Sequence, residues 1–143
     1  MSADVAPLVL SSVTLTLPSS AGPVNILRGV DLHVAAGERV AIIGPSGSGK
    51  SSLISVAAGL ERPTSGTVNL FGQDLARLDE DGRARLRRGR AALVFQSFHL
   101  IPTMTALENV MLPLELAGSR TSTATARDWL VRVGLEQDRK SVV

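Results

Sequence analysis

Eight consecutive residues, Gly44-Pro45-Ser46-Gly47-Ser48-Gly49-Lys50-Ser51, satisfy the pattern G-x-x-x-x-G-K-[ST] and constrain this chain more than anything else in it. The glycines let backbone N–H groups turn inward around an anion, and side chains at those positions would block its approach. A helix beginning at the lysine adds its positive end to the same anion. The arrangement requires a strand before the loop and a helix after it. Arg39 to Ile43 (RVAII) is a short continuous apolar run of the kind found in a strand covered on both faces. Lys50 to Leu60 places Leu53, Val56, Ala57 and Leu60 at helical spacing.

Each residue type in the loop has a chemical reason. Lys50 supplies a point charge to the β- and γ-phosphates of a nucleotide, and Ser51 supplies a hydroxyl to Mg²⁺. The expected cofactor-binding residues are Gly44, Pro45, Ser46, Gly47, Ser48, Gly49, Lys50, Ser51 and Ser52. A flexible Gly/Ser turn would have no need of Lys and Ser directly after its last glycine at a helix start.

Around this unit the chain alternates strands and helices. Leu8 to Leu17 reads as a strand closed by Pro18 to Pro23, and Val30 to Val34 as a half-buried strand with Asp31 and His33 facing out. Thr67 to Phe71 is a short strand closed by Gly72, Asp79 to Arg90 a polar helix capped by Asp79, and Ala91 to Phe95 a buried strand. From Thr105 the period is helical, with Leu107, Val110, Met111 and Leu114 on one core-facing side, and a second amphipathic stretch runs from Thr125 to Val133. This is an α/β organisation.

Composition excludes several classes. The 143 residues are 44% apolar, ordinary for a globular domain, and carry 15 basic against 13 acidic side chains. A net charge of +2 gives little reason to expect nucleic acid. No cysteine is present, so disulfides, thiolate metal sites and a cysteine nucleophile are excluded. No stretch approaches the ~18 apolar residues of a membrane span, and Met1-Ser2-Ala3-Asp4 lacks a basic leader. The expected location is the cytoplasm, unless a partner holds the chain at a membrane.

The loop, together with Ala58-Gly59-Leu60-Glu61-Arg62-Pro63-Thr64-Ser65-Gly66, resembles the nucleotide-binding subunit of an ATP-binding cassette (ABC) transporter. Val94-Phe95-Gln96-Ser97-Phe98-His99-Leu100-Ile101-Pro102 and Thr105-Ala106-Leu107-Glu108-Asn109-Val110 resemble its lipoprotein-releasing and macrolide-export branch. The resemblance implies a P-loop NTPase of the ABC type: an antiparallel β subdomain, a RecA-like core and the start of a helical subdomain, incomplete. It implies ATP and Mg²⁺ as cofactors, with Lys50 and Gln96 catalytic, and Ser51 and Gln96 at the metal. Gln96 becomes the Q-loop residue, whose amide donates and accepts without carrying charge into the γ-phosphate site. Residues 1–137 become the N-terminal part of the nucleotide-binding domain, with the helical subdomain beginning at about 97. Phe98 to Pro102 would face an integral-membrane permease, placing the protein on the inner face of the membrane, and the domain would work as a homodimer.

Three departures from the family pattern stand out. Leu17 occupies the position where the family stacks adenine on an aromatic ring, and the chain has no tyrosine. Arg83, Arg85, Arg87, Arg88 and Arg90 crowd into eight residues and are expected to form a solvated helix surface. The 143 residues contain neither an LSGGQ signature nor the Walker B aspartate and catalytic glutamate that the resemblance requires after Glu136. The sequence given is therefore expected to bind nucleotide without turnover, and the sheet around Arg39 to Ile43 to lack neighbours. Residues 138–143 resemble a translated sequencing adapter and read as a non-native tail. His99, a single histidine without an orienting acid, reads as a loop residue rather than a base. Other P-loop proteins, such as a soluble DNA-repair ABC protein or a small-molecule kinase, remain as alternatives. A kinase would want its phosphate loop nearer the N-terminus, whereas two strands precede this one.

Overall fold

The pairing of the two N-terminal strands shifts register three times, and the first two shifts are β-bulges where apolar alternation breaks. The computed structural model describes residues 5–97 and 99–136. They divide into two units, one ending at Ala91 and one beginning at Ala92. In β1 (Leu8–Leu17) the buried residues are Leu10, then Val13 and Leu15, so the inward face changes parity across Ser11-Ser12. Register against β2 (Val24–Val34) jumps there from Leu10↔Leu32 to Val13↔Val30, one extra residue on β1. Ser12 takes φ 48°, and its N–H donates to Asp31 Oδ1 at 2.7 Å instead of to the ladder. The second bulge lies on β2, where Val13↔Val30 is followed by Thr14↔Arg28 and Gly29 takes φ 79°. This is why β2 extends back to Val24 although clean alternation begins only at Val30.

After β2 come helix α1 (Lys50–Ala57), β3 (Ser65–Leu70), the two-residue β4 (Gln73–Asp74), a 3₁₀ turn (Leu75–Arg77) and α2 (Glu80–Arg87). The four strands form one antiparallel sheet in the order β2-β1-β3-β4. Leu53 and Val56 of α1, Leu75 of the 3₁₀ turn and Leu86 of α2 pack into a core with Leu10, Val13, Leu15, Leu27, Val68 and Leu70. Leu60 lies beyond the helix and is exposed. Asp79 caps α2, its Oδ1 accepting from the Gly82 N–H at 2.7 Å.

Two expected strands are absent. Arg39 to Ile43 and Ala91 to Phe95 form neither strand nor helix, and Ile43 (91%) and Val94 (100%) are largely or wholly exposed. A continuous apolar run becomes a buried strand only when neighbours supply ladder partners and cover both faces. The sheet of the described residues is antiparallel and pairs neither run. Among the described residues the antiparallel subdomain is formed and the RecA-like core is incomplete, as expected.

The second unit is a helical pair, α3 (Ala106–Leu116) and α4 (Ser122–Arg132). Ala126 and Leu130 of α4 are buried, whereas Leu107, Val110, Met111 and Leu114 of α3 are only half-buried. Thr105 and Glu108 form a capping box. The Thr105 Oγ1 accepts from the Glu108 N–H at 3.2 Å, and Glu108 Oε2 accepts from the Thr105 N–H at 2.7 Å and hydroxyl at 2.8 Å. The Thr105 backbone bond, then its hydroxyl, hold the Glu108 carboxyl below its ordinary value of 4.5. A lowered folded pKa contributes stability that is complete above the unfolded value and lost as pH falls through the folded one. Glu108→Gln is therefore expected to be less stable than wild type at neutral pH, the gap closing below about pH 4.5 as Glu108 protonates. Thermal melts by circular dichroism check this, and a gap independent of pH would contradict it.

Candidate functional site

The loop after Ile43 is shaped by glycines with left-handed backbones. Gly47 and Gly49 take φ 77° and 89°. Gly49 also sits where a side chain has no room: a Cβ there would lie 3.1 Å from the Ile26 carbonyl oxygen and 3.2 Å from Ile26 Cγ2. The loop is thereby pressed against β2, and α1 starts directly over it. The cap residue of α1 is this glycine, which offers no side-chain acceptor, and the first turn contains no acidic residue. The Leu53 N–H reaches back to the Gly49 carbonyl at 2.8 Å. The N–H groups of Lys50, Ser51 and Ser52 precede the first intrahelical bond of the helix. They are the donors that an anion at this end would take.

Lys50 reaches back across the loop. Its Nζ donates to the Gly44 carbonyl at 2.9 Å, the Pro45 carbonyl at 2.7 Å and Ser48 Oγ at 3.3 Å. The half-buried Lys50 thus turns its ammonium back onto the loop residues. Gly44 closes the loop, since a Cβ there would meet Ser48 Oγ at 3.0 Å. A cleft of about 700 Å³ opens between this loop and β2, lined by Val24 to Arg28, Ile42, Ile43 and the loop itself. That volume is the size of small-molecule sites in general. Ser51, next to Lys50 on the first turn, is exposed and Ser52 half-buried. A cradle of glycines, one ammonium, free-ended helix amides and an adjacent hydroxyl fits a polyphosphate with a hard divalent cation. Among the described residues no cluster of three His, Cys, Asp or Glu offers another metal site.

The remaining expected site residues are distributed differently. Gln96 lies in the second unit, exposed in a bend with Ser97. His99 takes φ 48°, its Nδ1 is 2.9 Å from the Ser97 carbonyl oxygen, and its ring meets Phe95 edge-on at 4.5 Å between centroids. These partners order a loop and leave it no carboxylate to orient it as a base. Phe98 and the 138–143 tail lie outside the described residues. Leu17 is 36% exposed at the end of β1, paired with Val24.

One organising residue carried a signal that its type alone did not reveal. Asn109 Nδ2 donates to the carbonyls of Ile101 (3.2 Å), Met104 (3.2 Å) and Thr105 (3.0 Å), and its Oδ1 accepts from the Ile101 N–H at 2.8 Å. One half-buried amide thus ties the loop before α3 to its first turn. The available clue was an amide in the first turn of the helix, off the face shared by Leu107 and Val110, because buried amides are retained where backbone groups need partners.

A glycine loop packed on β2, its lysine turned back onto it and a helix N-terminus behind it are the arrangement of P-loop proteins. The family model described as ABC transporter matches residues 27–143, and the chain belongs to that family. The lipoprotein-releasing system ATP-binding protein LolD 2 of Caulobacter vibrioides is 48% identical over 130 residues, 90% of this chain and 57% of that protein. The macrolide export ATP-binding/permease protein MacB of Salmonella typhi is 42% identical over 130 residues, 90% of this chain and 20% of its own. A dimeric post-hydrolysis state of the ATP-binding cassette MJ0796, bound to ADP and Pi, superposes with a TM-score of 0.84 at 36% identity, covering 93% of this chain and 60% of that one. The chain spans about half the length of the LolD proteins it matches. Among the described residues no helix is long and apolar enough to cross a membrane.

Proposed function

We propose that this chain is part of the ATP-binding subunit of an ABC transporter of the lipoprotein-releasing or macrolide-export type, binding Mg-ATP at residues 44–52. The observation that carries the proposal is the Lys50 ammonium turned back onto the glycine loop at the uncapped start of α1. Lys50 exchanges its carbonyl partners for phosphate oxygens, and the amides of the first turn of α1 donate to the same phosphates. Ser51 would hold a Mg²⁺ ion through its hydroxyl, and that ion would supply positive charge against the phosphates. Gln96 is the residue proposed to orient water at the γ-phosphate, and the loop from residue 97 to Pro102 the one proposed to meet a membrane permease. That partner would hold the subunit on the cytoplasmic face, and two such domains would act as a pair. The dimeric cassette and the LolD and MacB names support this reading.

The 143 residues include no Walker B carboxylate pair and no signature sequence, so the chain alone lacks a general base for water. Phosphate release from the purified chain is expected to stay at the level of ATP in buffer while nucleotide still binds. Turnover at rates typical of ATPases, ~1 s⁻¹ or above, would contradict it. Base selectivity is expected to be weak. An aliphatic Leu17 forgoes an aromatic stack worth about 1 kcal/mol, so ATP and GTP should bind within about tenfold of each other. Competitive titration of the two triphosphates measures this, and a clear preference beyond tenfold would defeat it.

A further inference from the structure

The C-terminal end of α1 is held by an arginine from another helix. The last turn of α1 contains no basic residue of its own. The helix closes with the Gly59 N–H on the Val56 carbonyl at 3.0 Å and the Leu60 N–H on the Ser55 carbonyl at 2.9 Å, with Gly59 at φ 68°. The carbonyls of the cap residue Ala58 and of Gly59 just beyond it accept from Arg87 Nη1 at 3.4 and 3.1 Å. Arg87 is half-buried, so the contact is shielded from solvent more than a surface pair would be. A cation at this position complements the negative end of the α1 dipole.

The arginine stands on a fixed platform. Leu86 beside it is in the core, Asp79 caps the start of α2, and Arg90 just past its end lies over the Phe71 ring at 4.1 Å. Gly59 permits the close approach: a Cβ there would lie 2.8 Å from Leu75 Cδ1 and 3.6 Å from Arg87 Nη1. At the other end Gly49 is pressed on Ile26. α1 has eight residues, roughly 12 Å, and is stiff on that scale, so a change of tilt at Gly59 moves Lys50 and the first-turn amides. The arginine cluster is therefore more than a solvated face.

We infer that Arg87 is a positioning residue for the phosphate-binding loop: by holding the Ala58 and Gly59 carbonyls it sets the axis of α1 and the direction in which the amides of Lys50 and Ser51 point. The inference rests on the proposal that this loop takes the phosphates of a nucleotide, but its first test needs no nucleotide. Amide ¹H–¹⁵N spectra of the nucleotide-free 143-residue chain are compared for wild type, Arg87→Met, Arg87→Lys and Arg88→Met. Arg87→Met keeps the aliphatic stem and removes the donors. Arg88→Met removes an exposed charge from the end of the same helix and serves as the electrostatic control. Arg87→Met should displace the signals of Gly49, Lys50 and Ser51, and Arg87→Lys should return them most of the way.

Mg-ATP affinity should follow, falling about five- to tenfold in Arg87→Met, recovering to within about twofold in Arg87→Lys, and changing by less than about twofold in Arg88→Met. A loop whose amide signals coincide with wild type in Arg87→Met overturns the inference, as does equal displacement by Arg88→Met. If Arg87→Met fails to fold, Arg87→Lys decides: its ammonium must leave the loop signals near those of wild type. Wild-type chain that binds no Mg-ATP would sink the nucleotide proposal, while the amide displacements would still support or overturn the role of Arg87.

Discussion

Lys50→Ala is expected to weaken Mg-ATP binding by about tenfold to a hundredfold, the equivalent of ~1.5–3 kcal/mol for a hydrogen bond to a charged group. The fold should survive, because among the described residues the Lys50 side chain bonds to the loop itself, to Gly44, Pro45 and Ser48. Alanine is also the residue best tolerated in a helix. Titration with a fluorescent triphosphate analogue, beside circular dichroism of the same sample, separates the two effects. An unchanged dissociation constant would remove Lys50 from the site and leave the loop a structural turn. The variant tests the ammonium specifically, since the first-turn amides of α1 remain to hold part of the phosphate charge.

The largest stability effect is expected at Gly66, far from the loop. Gly66 takes φ 86°, and a Cβ there would meet the Ser11 carbonyl oxygen at 2.6 Å and the Ser12 carbonyl still more closely. These carbonyls belong to the bulge on β1, so the bulge and the glycine require each other. Gly66→Ala adds left-handed strain of ~1–3 kcal/mol and a clash with backbone that no side-chain rotation relieves. The sum should reach about 3 kcal/mol or more, a fall in Tm of roughly 10 °C. Gly37→Ala is the comparison: it has a similar φ of 75° but nothing within 4 Å of its Cβ, and should cost only about 1 kcal/mol. Equal losses in the two variants would show that the clash with β1 does not exist.

What could be read from residues alone depended on whether the governing interaction was local. The shape of the glycine loop was legible, because glycine geometry, helix start and lysine lie within eight residues. Leu8 to Leu17 was legible as a strand with the bounds it has, and its Ser11-Ser12 interruption is the bulge. Asp79 as a cap followed from its position before α2. The Thr105-x-x-Glu108 pair was equally local and available as a capping box, a signal that helical periodicity alone overlooked.

Arg39 to Ile43 and Ala91 to Phe95 failed for a different reason. Their apolar runs specify strands only in the presence of neighbours, and the described sheet offers none. The first half of β2 was missed because Gly29 shifts the alternation, hiding Val24 to Arg28 behind a bulge. Arg87 was unreadable because its partners, Ala58 and Gly59, are carbonyls nearly thirty residues away. Backbone acceptors carry no mark in a sequence.

Calorimetric titration of Mg-ATP into the folded 143-residue chain tests the central claim most directly, that residues 44–52 hold the phosphates of a nucleotide. The expected result is saturable one-to-one binding that tripolyphosphate with Mg²⁺ displaces and adenosine does not, since the loop recognises phosphate and Leu17 offers no ring to the base. Absence of saturable heat from a chain shown to be folded, or displacement by adenosine alone, would contradict it.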